Sequence, residues 1–165
     1  MTLIPAAPWA IRYPEEAAKA KTLCLVMDQP RGQEGAAKEA RDLFVTPWFR
    51  AARHFAETRY DAWGILSVNI GLAHPDAVLG PYSILLGDQS KEERTNWGKL
   101  VTRDVMAAYP NLKVLDVLAN EEYCRALTDG GLEYTRPLRG LKVGAQMKYL
   151  ADPANLNTPA GSDAA

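Results

Sequence analysis

The sequence is short of the residues that build stapled or metal-centred proteins: two cysteines and two histidines in 165 positions. Cys24 and Cys124 are a hundred residues apart, without metal-ligand spacing, and a single pair gives no secreted disulfide framework. No metal and no redox cofactor is expected, and a reducing, cytoplasmic setting fits best. Long apolar runs are missing too. Nowhere do eighteen apolar residues follow one another, and residues 1–14 lack a basic start with an apolar core, so neither a membrane span nor a secretory leader is expected. Charge of one sign is also lacking: 19 basic against 20 acidic residues leave a net charge of -1, which creates no global field for a polyanion. Binding to nucleic acid would need a local basic patch.

The cofactor fingerprints are absent as well. Gly64, Gly71, Gly80 and Gly87 form neither a G-x-G-x-x-G turn nor a glycine-lysine phosphate loop. Ser67 has no G-x-S-x-G elbow around it, which argues against a serine hydrolase.

What is present is an ordinary globular composition, 47% hydrophobic and 24% charged, in a chain long enough to bury one continuous core. Three apolar runs read as buried strands, at residues 22–27, 63–68 and 112–118. A fourth is expected near Leu132 to Thr135. Between them lie helical patterns with clear starts. Thr46-Pro47 supplies an N-cap and a first-turn proline, Ser90 with Glu93 makes a capping box, and Asn120 caps a short helix through Leu127. In the first of these helices Trp48, Ala52 and Phe55 share a side with Phe49 and Ala56 and read as core. Residues 69–80 fit neither periodicity and read as a surface loop, and residues 29–41 as a polar stretch turning helical near its end. A last amphipathic segment covers residues 143–150.

Strands alternating with helices predict a single three-layer α/β domain with a short, mainly parallel sheet of about four strands. Residues 1–20, with Pro5, Pro8 and Pro14 around Trp9, read as an extended N-terminal arm, residues 21–151 as the domain, and residues 152–165 as a mobile tail.

In open α/β sheets ligands bind outside the carboxyl ends of the strands, which selects Asp28, Ser67, Asn69 and Asn120, together with Tyr123 just beyond Asn120. Asp28 suits a general base or a ribose-binding carboxylate, and equally a turn former. Asn120 suits a group that hydrogen-bonds a base, and equally a plain helix cap. His74, before Pro75, and His54 read as solvated. Arg31, Arg41, Arg50 and Arg53 flank the first crossover, either facing one anion or forming a charged helix exterior.

From about Ala40 onward the chain resembles a small domain of unknown function found in bacteria and phages and grouped loosely with the peroxide-stress protein YaaA. The resemblance rests on Ala40-Arg41-Asp42-Leu43-Phe44 with Pro47 and Phe49, on Trp63-Gly64-Ile65-Leu66-Ser67, Gly71-Leu72, Pro81-Tyr82 and Trp97, and on Pro137-Leu138 with Gly144. Where members of that group carry a Cys-Ser pair with lysines and a His-Gly pair, this chain has Met27-Asp28-Gln29-Pro30 and Ile70-Gly71. The strand-end motifs are also similar to those of nucleobase-handling proteins, implying a fold akin to uracil-DNA glycosylases and a nucleotide, nucleobase or nucleic acid as substrate.

The first functional expectation is therefore an enzyme that processes a nucleotide or nucleic-acid base, hydrolysing or exchanging an N-glycosidic bond. Asp28 would be catalytic, Asn69 or Asn120 would hold the base, Tyr82 would stack on it, and Ser67 and Tyr123 would complete the substrate site. The alternative is a non-catalytic binding or regulatory protein, phage-encoded in one version, which retains the fold and docks a protein partner through the Trp9 arm or the loop around His74. A self-associating homo-oligomer is the third.

Overall fold

The computed structural model describes residues 5–30, 33 and 35–161. Arg31 and Gly32, the first four residues of the expected arm and residues 162–165 of the expected tail lie outside the described residues.

Among the described residues the main sheet has four strands in the order β4-β3-β1-β6, where β1 is Thr22–Met27, β3 Ala62–Ser67, β4 Gly71–Ala73 and β6 Val114–Leu118. β1 lies in the middle, parallel to both neighbours, with Leu25 opposite Gly64 on one side and Val117 on the other. Its unbroken apolar run follows from that position, because both faces are covered. Leu23 and Leu25 join a core with Val101 and Val105 of α4 (Lys91–Ala108) and Leu127 of α5 (Glu121–Asp129). Cys24 and Val26 point the other way, into a core with Phe49, Ala52 and Phe55 of α3 (Pro47–Arg59) and Leu150 of α6 (Val143–Ala151). Helices, sheet and helices make the three layers.

The capping signals act as their chemistry dictates. Thr46 Oγ1 accepts from Phe49 N at 3.1 Å, Ser90 closes a full capping box on Glu93, and Asn120 Oδ1 accepts from Tyr123 N at 3.2 Å. α4 and α5 come into backbone contact because glycine stands where they touch, Gly98 within α4 and Gly130 at the C-cap of α5. A Cβ on Gly98 would lie 1.9 Å from the carbonyl oxygen of Ala126, and one on Gly130 would lie 2.2 Å from the carbonyl carbon of Gly98.

The fourth strand is not the one expected. From the 132–135 segment only Thr135 reaches the sheet, in a single bridge to Asp116. The sheet edge is instead completed by β4, antiparallel to β3 with Leu66 opposite Leu72, inside the stretch read as a surface loop. Three residues are too few to show a period of two. The turn between them needs Gly71 at φ +89, where a Cβ would also meet Leu100 at 3.1 Å. The same stretch holds β5 (Val78–Leu79), which pairs antiparallel with β2 (Lys38–Glu39), just ahead of the short helix α2 (Ala40–Leu43).

The two chain ends also differ from expectation. The arm is not extended throughout: it carries helix α1 (Pro14–Lys19) and is pinned to the β4 segment, the Trp9 indole N–H donating to Ile70 O at 3.0 Å and the Tyr13 hydroxyl to Asp76 Oδ2 at 3.1 Å. Residues 153–161 of the segment expected to be mobile hold helix α7 (Pro153–Leu156) and dock on α3, where Arg59 Nε donates to Thr158 O at 2.7 Å and Ala160 N to Arg59 O at 2.9 Å. Composition misleads here, because hydrogen bonds to the segment's backbone groups add to the packing of Leu156 and Ala160 against the core beside α3.

Candidate functional site

β1, β3 and β6 run parallel, so Asp28, Ser67 and Asn120 emerge side by side at one edge of the sheet. Asp28 is the centre of this edge, 1% exposed. Its Oδ1 accepts from the Tyr123 hydroxyl; its Oδ2 accepts from the Tyr82 hydroxyl and from Val68 N at 2.9 Å. The Tyr82 hydroxyl also meets Ser67 Oγ at 2.9 Å, and the Trp97 indole donates to Ser67 O at 2.8 Å while its ring meets Tyr123 edge-on at 5.7 Å. The tyrosines are themselves fixed. Tyr82 packs edge-on against Phe44, and its backbone N–H donates to Gln33 Oε1 at 2.8 Å. Tyr123 follows the Asn120 cap in the first turn of α5.

Electrostatics set the protonation states. Burial pushes the Asp28 carboxyl up to about 6, against the hydrogen bonds from Tyr123, Tyr82 and Val68, which pull the other way. Burial, followed by the adjacent Asp28 charge, raises both tyrosines far above the phenol range. Both therefore remain neutral donors, and neither serves as a phenolate nucleophile.

In front of this network lies a cleft of about 550 Å³. Its polar lining comes from Asp28, Gln29, Thr46, Asn120 and Tyr123, with the carboxylates of Asp88 and Glu122 beside them. Met27, Leu85 and Leu86 supply apolar walls, and among the described residues no lysine, arginine or histidine lines it. Gln29 is held between Asp28 O, to which its Nε2 donates at 3.0 Å, and the Thr46 hydroxyl, which donates to its Oε1 at 3.2 Å. Glu122 rests on Gly87, where a Cβ would come within 2.8 Å of Oε2.

The structure thus brings together Asp28, Asn120 and Tyr123 at the cleft. Ser67 and Tyr82 stand behind it, tied to Asp28 or to each other rather than lining it, so Tyr82 offers no stacking face there. Asn69 is exposed and outside the cleft. His74 belongs to the arm contact: its Nδ1 accepts from Asp76 N at 3.0 Å, and burial with the nearby Arg41 and Arg12 pushes it down to about 4. His54 is exposed. Arg41 pairs with Asp76 and Arg53 with Asp42 and Glu57, while Arg50 is exposed, so these arginines do not converge on an anion. Gln29, Thr46, Asp88 and Glu122 also line the cleft, and strand-end reasoning does not select them. Thr46 is legible only as the N-cap of α3, which follows α2 rather than a strand of the main sheet, and the two carboxylates carry no signal.

Among the described residues no group of three His, Cys, Asp or Glu side chains is placed to hold a metal ion, and no helix is long and apolar enough to cross a membrane. No curated protein and no solved structure matches the chain. A family model described as a family of unknown function matches residues 30–152, a span that begins just after Asp28 and takes in Ser67, Tyr82, Asn120 and Tyr123. The chain belongs to that family, DUF6884.

Proposed function

We propose that the cleft at the carboxyl edge of the sheet binds a nucleobase or nucleoside, and that the chemistry it serves is hydrolysis or exchange of the N-glycosidic bond. The observation that carries this reading is the lining formed by the described residues: side-chain amides and hydroxyls between apolar walls, rimmed by carboxylates, with no cation among them. Such a surface suits a flat, uncharged ring rich in hydrogen-bonding groups and repels a bare phosphate. The Asn120 amide N–H groups and the Gln29 amide would read the base edge while Met27, Leu85 and Leu86 cover its faces. The similarity of the strand-end motifs to those of nucleobase-handling proteins of the uracil-DNA-glycosylase kind points the same way.

In glycosidic cleavage the sugar gains positive charge, which a carboxylate opposes. Asp28 is too enclosed to meet a sugar directly, so in this reading it is a positioning residue that aligns Tyr123, and Glu122 and Asp88 are the carboxylates available to the substrate. The enclosure of Asp28 also favours the second reading, a binding protein without turnover.

The test is thermal unfolding with free bases and nucleosides. A ligand present at about a hundred times its dissociation constant adds about 2.7 kcal/mol of stability. Stabilisation by at least one base or nucleoside is expected, and base release followed by chromatography then separates enzyme from binder. No stabilisation by any of them overturns the proposal.

A further inference from the structure

Next to the cleft, and sharing Glu122 with it, lies a second hollow of about 330 Å³ lined by Lys91 and Arg94 of α4 and by Glu122, Arg125, Ala126 and Asp129 of α5. Its form follows from the helix contact below it. α4 and α5 meet backbone to backbone at Gly98, Ala126 and Gly130, and Ala126 is also part of the hollow's lining. Glu122, Arg125, Ala126 and Asp129 recur at helical spacing, so one face of α5 looks across at the first turn of α4.

The charges in this hollow are unbalanced and unpaired. Three cations face two carboxylates, yet none of the three forms an ion pair with any described residue; Arg94 donates only to the backbone oxygen of Gln89, at 2.6 Å. Several arginines elsewhere do find acids: Arg41 with Asp76, Arg53 with Asp42 and Glu57, Arg136 with Glu121. Glu122 is drawn aside onto Gly87, at the wall between the two hollows. A cleft whose described charges are carboxylates thus adjoins a hollow in which cations outnumber them.

We infer that Lys91, Arg94 and Arg125 form a phosphate-binding ledge for a ligand whose base occupies the adjoining cleft, so that the protein prefers phosphorylated nucleosides, free or within a strand, over nucleosides. This rests on the base-binding reading above and extends it. Guanidinium groups bind phosphate oxygens through directed, charge-assisted hydrogen bonds, and Lys91 adds a point charge. The exposure of the ledge keeps each contact modest and sensitive to salt.

The test compares nucleosides with their 5′-monophosphates by calorimetry, at low and moderate salt, on the wild-type protein and on K91A/R125A, whose two substituted residues are exposed and outside the cleft lining. The monophosphate is expected to bind about tenfold more tightly than the nucleoside at low salt, the sum of two exposed charge contacts. The double variant is expected to lose that advantage while binding the nucleoside as before. Nucleoside binding without a phosphate advantage, or an advantage that survives in the variant, overturns the ledge and leaves the cleft reading standing. A short single-stranded oligonucleotide separates the sources: tighter binding than the monophosphate assigns a strand, weaker binding a free nucleotide. Inorganic phosphate followed through the amide resonances of residues 91–94 and 125 reads the ledge independently of any base. Shifts there without nucleoside binding sink the cleft reading alone, and their absence sinks the ledge.

Discussion

Replacing Asp28 by Asn separates the electrostatic role of this carboxyl from its shape. In the folded protein burial lifts the carboxyl from its ordinary 3.8 to about 6, so between those values the native state holds a proton that the unfolded chain has released. Stability from this group is full below about pH 3.8 and is lost as the pH rises through about 6. The whole swing is about 3 kcal/mol, of which about 2 kcal/mol falls between about pH 4.5 and 7.5. Asn cannot titrate. With its oxygen towards Tyr82 and Val68 it keeps both of those hydrogen bonds, and its NH2 group donates to the Tyr123 hydroxyl, which reverses direction. The neutral variant should therefore stay within about 1 kcal/mol of the wild type at pH 7.5, where the wild type holds a buried charge. Urea unfolding of both proteins across the window checks this. Other carboxylates contribute to both curves and cancel in the difference, which should favour the wild type by about 2 kcal/mol more at pH 4.5 than at pH 7.5. A difference that does not change with pH refutes the reasoning, and one that grows with pH reverses its sign.

Two further substitutions test the packing that shapes the site. Gly98→Ala forces a Cβ to within 1.9 Å of a backbone oxygen that cannot yield, and should cost at least about 3 kcal/mol in urea unfolding. Gly144→Ala on α6 meets nothing within 4 Å and should be neutral or stabilise by up to about 1 kcal/mol, so equal effects at the two positions would contradict the contact. Trp97→Phe keeps an aromatic ring beside Tyr123 but leaves the Ser67 carbonyl, bonded to the indole at 2.8 Å, without that donor. It should cost about 1–3 kcal/mol in unfolding free energy, and an unchanged midpoint would show that the bond contributes nothing.

Much of this fold can be read in the sequence, because its signals are local. The β1 run, the Thr46 and Asn120 caps and the Ser90–Glu93 box are each written within a few residues, and each produces the element it implies. β4 escapes notice because a strand of three residues has no period and is held by register with β3. The docking of residues 153–161 combines hydrogen bonds to Arg59, about a hundred positions earlier, with the packing of Leu156 and Ala160 on the core, and no compositional test detects either.

The same distinction governs the site. Strand-end logic selects Asp28 and Asn120 because it needs only the ends of apolar runs. It gives Asp28 no partners, since the hydroxyls that hold it come from 54 and 95 positions downstream. Those partners change what Asp28 can do. Its donors come from the residue after β3, from the segment beyond β5 and from α5, so one carboxyl fastens three crossings of the chain to the end of the central strand. A group so occupied is poorly placed to attack a substrate. It is well placed to hold Tyr123 and the carboxyl edge of the sheet in one arrangement, and in the proposed reading contact with a ligand then falls to Glu122, Asp88 and the amides around them.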